Sequence, residues 1–185
     1  MINSKIILAV VGLPGAGKSE ASEYIKAKTG WAKVHFGETV VDEVKNRGLE
    51  VNEVNERTVR EDLRKQHGMA AMAILNLSKI KELAATSSVI LESFYSWEEY
   101  LEVKKEFGDS FKVLAIYASP AIRSQRLVSR PVRPLAENEF ISRDYSQIES
   151  LHQAGPIARA DWTIINEGTK EHLNEALDKF LSQLL

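Results

Sequence analysis

Gly12-Leu13-Pro14-Gly15-Ala16-Gly17-Lys18-Ser19 decides the fold. It reads G-x-x-x-x-G-K-S, the phosphate-binding P-loop with every required position filled. Each residue type answers a need of a bound polyphosphate. Glycines let the backbone curl tightly and turn successive N–H groups inward. Lys18 has the reach for β- and γ-phosphates, and the Ser19 hydroxyl can ligate Mg²⁺. The flanks agree. Ile6 to Val11 is an apolar run of strand length, and Ser19 to Lys28 carries Ala21, Tyr24 and Ile25 at helical spacing. A strand, a glycine-rich turn and a helix N-terminus together aim a helix dipole at phosphate.

The same alternation runs outward along the chain. Strands are expected at 32–36, 88–92, 111–117 and 162–165, each a short apolar run. Helices are expected between them. Asn52 or Asn55 caps one that runs to His67, and Met69 to Ala85 is another. Ser96 caps one that Gly108 stops, and Pro120 opens one at its favoured first position. Arg130-Pro131-Val132-Arg133-Pro134 breaks that helix, Glu137 to Gln153 is helical again, and Thr169 caps the last. Five strands separated by helices imply an α/β P-loop fold, a parallel sheet covered on both faces. Ligands belong outside the carboxyl ends of its strands. The P-loop, Gly37-Glu38, Glu92-Ser93 and Asn166-Glu167-Gly168 all fall at such ends.

Bulk properties narrow the function. The 185 residues suit one domain over 1–185 with a small lid, and the absence of cysteine excludes disulfides and thiolate metal sites. A net charge of −2 argues against long nucleic acid as partner. The opening residues hold no secretory leader and no run spans a membrane, so a cytoplasmic location is expected. The guanine-reading N-K-x-D of GTPases is missing, since Asn166-Glu167-Gly168-Thr169 stands after the last strand. The strand at 88–92 ends in one carboxylate, Glu92, where a mechanical ATPase favours an acidic pair. Arginine supply points elsewhere. Arg123, Arg126 and Arg130 share one helix face, and Arg130 and Arg133 flank the proline-broken segment. Guanidinium groups stay charged and fork onto phosphate, and a closing lid excludes water from phosphoryl transfer. A lid is therefore expected over about 126–139.

Several motifs follow in order: the P-loop with Glu20, Asp62-Leu63-Arg64 with His67-Gly68, Ala118-Ser119-Pro120 with Arg123 and Arg126, Arg143-Asp144, and Ile165-Asn166-Glu167-Gly168. In this the chain resembles the nucleotide-kinase-like P-loop proteins related to dephospho-CoA kinase and adenylate kinase, best known from archaea. The resemblance covers nearly the whole chain. It implies a nucleoside-monophosphate-kinase fold with an acceptor-binding helical region, about 38–85, and the lid. It also implies that Arg123 or Arg126 stacks on adenine or contacts phosphates. Departures fall in the acceptor half. Relatives usually carry Gly-Asp after the second strand and Asp-Gly-x-Arg after the third; here stand Gly37-Glu38 and Glu92-Ser93-Phe94-Tyr95.

The expected site follows. Gly12, Pro14, Gly15, Ala16, Gly17, Lys18, Ser19 and Glu20 bind ATP, helped by Arg123, Asn166 and Gly168. Lys18, Arg126 and Glu92 serve the transfer, and Ser19 holds Mg²⁺. Glu38, Arg64, Arg130 and Arg133 meet the acceptor, with Arg64 as its main cation. Arg57 and Arg60 stand among glutamates and read equally well as a solvated, salt-bridged helix face. Phe94 and Tyr95 are expected to offer aromatic faces to the acceptor. His35, His67, His152 and His172 show no metal-ligand spacing and read as structural or exposed. Two functions fit: an ATP·Mg²⁺-dependent phosphotransferase for a nucleotide-like small molecule, or an ATP-binding regulatory module with weak ATPase activity.

Overall fold

A computed structural model describes residues 5–130 and 134–185. Its described residues form one five-stranded, fully parallel sheet in the order β2-β3-β1-β4-β5. The strands are β1 (Ile7–Val11), β2 (Ala32–His35), β3 (Val89–Glu92), β4 (Phe111–Tyr117) and β5 (Trp162–Ile165). The helices are α1 (Lys18–Thr29), α2 (Phe36–Asn46), α3 (Glu53–His67), α4 (Ala71–Ala84), α5 (Trp97–Phe107), α6 (Pro120–Ser129), α7 (Glu137–Glu149), α8 (Ala154–Ala158) and α9 (Lys170–Leu184).

Both sheet faces are buried, so each strand divides its apolar residues by parity. Leu8, Val10, Ile90, Leu114, Ile116 and Ile164 face α1 and α9, packing on Ala21, Ile25, Leu173, Leu177 and Phe180. Ile7, Ala9, Val11, Val89, Leu91, Val113 and Ala115 face the other layer, where Val40, Val59, Met72, Ile80 and Val103 come from α2 to α5. A continuous apolar run such as Ile7–Val11 thus serves both cores. Full burial of side chains of this size is worth roughly 1.5–3 kcal/mol each.

Local signals set most boundaries. Asn52 is the cap of α3, its side chain accepting the Asn55 N–H at 3.0 Å. Ser96 and Glu99 close a reciprocal capping box on α5. The helix expected over 137–153 ends at Glu149. His152 then takes φ 53°, and the short α8 with Pro156 follows. This break brings Gln153 into the interior, fully buried. Phe94 is also corrected. It is 0% exposed, wedged between Phe36 and Phe111 at ring distances of 5.7 and 5.8 Å, and offers no face to a ligand. Of the expected lid, residues 131–133, Arg133 included, lie outside the described residues.

Strands β2 and β3 lie on one side of β1, and β4 and β5 on the other. The chain therefore reverses direction across the sheet at β1. That switch opens a crevice at the carboxyl edge, and the P-loop occupies it.

Candidate functional site

Gly12, Gly15 and Gly17 sit at φ 144°, 82° and 103°, conformations that side chains rarely adopt. Space forbids a side chain as well. A Cβ on Gly12 would lie 2.2 Å from the Ile116 carbonyl oxygen, and one on Gly17 would lie 2.3 Å from Asn166 Nδ2.

The loop's carbonyls are tied one after another. Gly12 O accepts from Gln153 Nε2 at 3.0 Å and from Lys18 Nζ at 2.6 Å. Leu13 O takes Lys18 Nζ at 3.2 Å and the Ala16 N–H at 3.1 Å. Pro14 O takes Arg123 Nη1 at 3.2 Å, Gly15 O takes Arg126 Nη1 at 3.4 Å, and Ala16 O takes Asn166 Nδ2 at 2.8 Å. The N–H groups of Gly15 and Gly17 have no acceptor among the described residues. Those of Lys18 and Ser19 open α1, where first-turn donors lack intrahelical partners. Tied carbonyls and free amides together make an anion cradle.

Lys18 is a cation with only neutral carbonyls as hydrogen-bond partners. Burial lowers its pKa to about 8, helped by the nearby charges of Arg123 and Arg143 and opposed by Glu92. Surplus positive charge in a desolvated cradle fits the phosphates of a nucleotide. Ser19 and Glu20 are exposed on the first turn of α1, with Glu20 paired to Lys170 at 2.7 Å. The Ser19 hydroxyl at this place is an oxygen of the kind that suits Mg²⁺. Among the described residues no cluster of three His, Asp or Glu side chains makes a separate metal site.

Four expected residues take the following places. Arg123 is 3% exposed and clamps Asp144 with two bonds of 2.5 and 2.7 Å. Its Nε donates to Ala118 O at 3.0 Å, and Phe140 lies against its guanidinium. So occupied, it braces the P-loop against α7. Asn166 likewise meets the loop with its side chain. Arg126 does reach both Gly15 O and Gly168 O, at 3.4 Å each. Glu92 is 7% exposed on the α1 side of the sheet, but one of its oxygens is held by Lys33 Nζ at 2.8 Å. Lys33 also binds Glu23. Burial pulls the Lys33 pKa down, yet hydrogen bonds donated to both carboxylates outweigh it and hold the ammonium above its usual range.

Beside the P-loop a cavity of about 640 Å³ opens between α2, α3, α7 and the ends of β2 and β3. Arg64 lines it as expected, with Glu38 at the rim paired to Lys79 at 3.2 Å. Arg64 is not the main cation there, because Lys45, Arg60 and Arg143 line the same space. Burial lowers the Arg64 pKa, opposed by Glu99, and its Nε is buried without a partner. Arg57 instead lies exposed, paired to Glu61 at 3.0 Å. Arg130 ends α6, apart from this lining. Tyr95 is in the lining; Phe94 is not.

Sequence reasoning missed His35, Ser93 and Gln147 in this lining and left Arg143 without a role. Arg143 joins the halves, since it lines the cavity and its charge lowers the Lys18 pKa. A signal for Ser93 existed in its place directly after a strand-end carboxylate. Gln153 gave none.

Residues 8–145 match the family described as AAA domain. A UPF0200 protein of Pyrococcus furiosus is 31% identical over 183 residues, 97% of each chain. One of Methanosarcina mazei is 39% identical over 124 residues, 67% of this chain and 65% of that one. Among solved structures, TT1252 from Thermus thermophilus superposes with a TM-score of 0.68 at 20% identity, covering 99% of this chain and all of that one. A shikimate kinase from Bacteroides thetaiotaomicron gives 0.60 at 14% identity, covering 97% and 98%. At these identities the structures attest the shared fold. Cradle, switch-point sheet and family match agree, and the chain belongs to the AAA-domain P-loop family, with the archaeal UPF0200 proteins as its relatives.

Proposed function

We propose that the protein is an ATP·Mg²⁺-dependent phosphotransferase whose acceptor is a nucleotide or nucleotide-like small molecule. One observation carries the reading. A desolvated P-loop lysine and a cavity rich in arginine lie at the same sheet edge, and Arg143 is shared between them. An acceptor bound in the cavity presents an oxygen toward the γ-phosphoryl on the P-loop. That oxygen bonds to the γ-phosphorus as the bond from phosphorus to the β–γ bridging oxygen breaks, and ADP leaves. A hydroxyl acceptor also gives up a proton, and the Glu92 oxygen not held by Lys33 is the base at that strand end. Lys18 and Arg143 offset the charge spread over the transferred group, while the cradle fixes its position. Ser19 would hold Mg²⁺, which would supply charge neutralisation on the phosphates. Arg60, Arg64 and Lys45 suit an anionic group on the acceptor.

The Lys33–Glu92 pair favours a second reading, an ATP-binding regulatory module with weak ATPase activity, because it occupies the strand-end carboxylate. One screen separates the two. ADP release is followed with Mg·ATP alone and with AMP, CMP or dephospho-CoA added. Stimulation by one acceptor, with a phosphorylated product, is the expected result. Slow release indifferent to all acceptors supports the regulatory module. Lys18→Ala should lower stimulated turnover by about a hundredfold or more while the fold persists. Unchanged ATP affinity of that variant in calorimetry would remove the P-loop from the mechanism.

A further inference from the structure

A hydrogen-bonded group in the cavity is left unused by the chemistry above. Ser93 directly follows Glu92 and sits at φ 60°, in the left-handed region. A Cβ is strained there and glycine is not. Such strain persists where the surroundings hold it, and it gathers at ligand sites. His35 and Tyr95 are the surroundings here. The His35 Nδ1 accepts the Gly37 N–H at 3.1 Å, so that nitrogen carries no proton. The neutral ring then bears its proton on Nε2, which donates to Ser93 Oγ at 2.8 Å. The Tyr95 hydroxyl donates to the same oxygen at 3.3 Å. Both lone pairs of Ser93 Oγ are thereby filled. With those two bonds accepted, its own O–H is left for a ligand, and all three side chains line the cavity.

We propose that Ser93 is a specificity-determining residue whose O–H, aimed by His35 and Tyr95, donates a hydrogen bond to an oxygen of the phosphoryl acceptor. The inference rests on the phosphotransferase reading and deepens it. The ligand class is an acceptor with a hydroxyl or phosphate oxygen at the end of β3. A molecule with an apolar or N–H group at that point leaves the donor unpaired in a partly desolvated site, and such mismatches discriminate strongly. His35 acts through Ser93 and is a positioning residue. Its two nitrogens fix the serine and cap α2 together.

Ser93→Gly tests this without threatening the backbone, because glycine accepts the left-handed conformation. Its thermal midpoint should equal or exceed that of the natural protein. AMP and CMP, which offer a phosphate oxygen, and dephospho-CoA, which offers a ribose hydroxyl, are the probes. With whichever the natural protein phosphorylates, kcat/KM should fall about tenfold or more while the ATP KM stays within about twofold. The probe that responds identifies the oxygen being read. Unchanged acceptor kcat/KM overturns the proposal. A lower midpoint with ATP and acceptor parameters falling together also overturns it, since the hydroxyl is then a structural tie. If the natural protein shows no acceptor-dependent turnover, the phosphotransferase reading falls separately. Calorimetric titration of the same probes with a non-hydrolysable Mg·ATP analogue then decides the role of Ser93. Weaker binding by Ser93→Gly supports it; equal or absent binding overturns it.

Discussion

The P-loop and the neighbouring cavity share one sheet edge but are built on opposite principles. Around the P-loop, every carbonyl from Gly12 to Ala16 is engaged by a side chain, from Lys18, Gln153, Arg123, Arg126 or Asn166. In the cavity, polar groups are left over: the Arg64 Nε and the Gln147 Oε1 are buried without partners. The first region spends its side chains on holding backbone still, so its binding groups are amides already in place. The second keeps its side chains for the ligand. A site for a ligand of fixed shape gains from rigidity, because order established during folding costs nothing at binding. A site that distinguishes acceptors needs functional groups that are not yet paired.

The contrast predicts that damage to the first region costs stability and damage to the second does not. The largest effect is expected at Asp144. Asp144→Ala leaves Arg123 buried without its carboxylate, which should cost about 3–5 kcal/mol in chemical denaturation. ATP affinity should fall too, because Arg123 then lets go of Pro14 O. Arg123→Met with Asp144→Leu sharpens the point. Replacing the whole pair should restore much of the stability but not the ATP affinity. Recovery of both would mean that the brace has no part in shaping the loop.

A smaller, selective effect is expected in the cavity. Arg60→Ala and Arg64→Ala should each raise the acceptor KM by about tenfold, near 1.4 kcal/mol, with little change in ATP KM or unfolding midpoint. Equal losses toward ATP and acceptor would erase the distinction between the regions.

A test of another kind is pH. Glu99 lies beneath the cavity, and burial raises its pKa to about 7, against hydrogen bonds from the Tyr95 and Ser96 N–H groups and the charge of Arg64. The folded state thus holds a proton that the unfolded chain releases near its ordinary pKa of 4.5. Stability from this group is full below that value and is lost as pH rises toward 7, by about 3 kcal/mol. Glu99→Gln should flatten the curve between pH 4.5 and 7. Lys18 has the opposite sign. Its lowered pKa means that the folded state sheds a proton first, so its cost to stability eases as pH climbs from about 8 toward 10.5.

Local rules carried most of the fold. Strand length, capping residues and the glycine pattern of residues 12–19 determine the parallel sheet, the cradle and its place at a strand end, because each depends on near neighbours in sequence. The same logic put Lys18, Glu38 and Asn166 near strand ends, whereas Arg64 came from the family resemblance. Tertiary structure alone decided which charges remain available. Arg123 and Arg126 are three residues apart on one helix face. Yet one is sealed against Asp144, 21 residues on, while the other stays at the loop surface. Phe94 and Tyr95 are adjacent, and strand-end geometry sends one into the core and the other into the cavity. Glu92 meets Lys33 across 59 residues, and Gln153 meets Gly12 across 141. A sequence specifies periodicity and turns directly. Pairing between distant side chains depends on how helices pack over the sheet, and only the folded chain settles it.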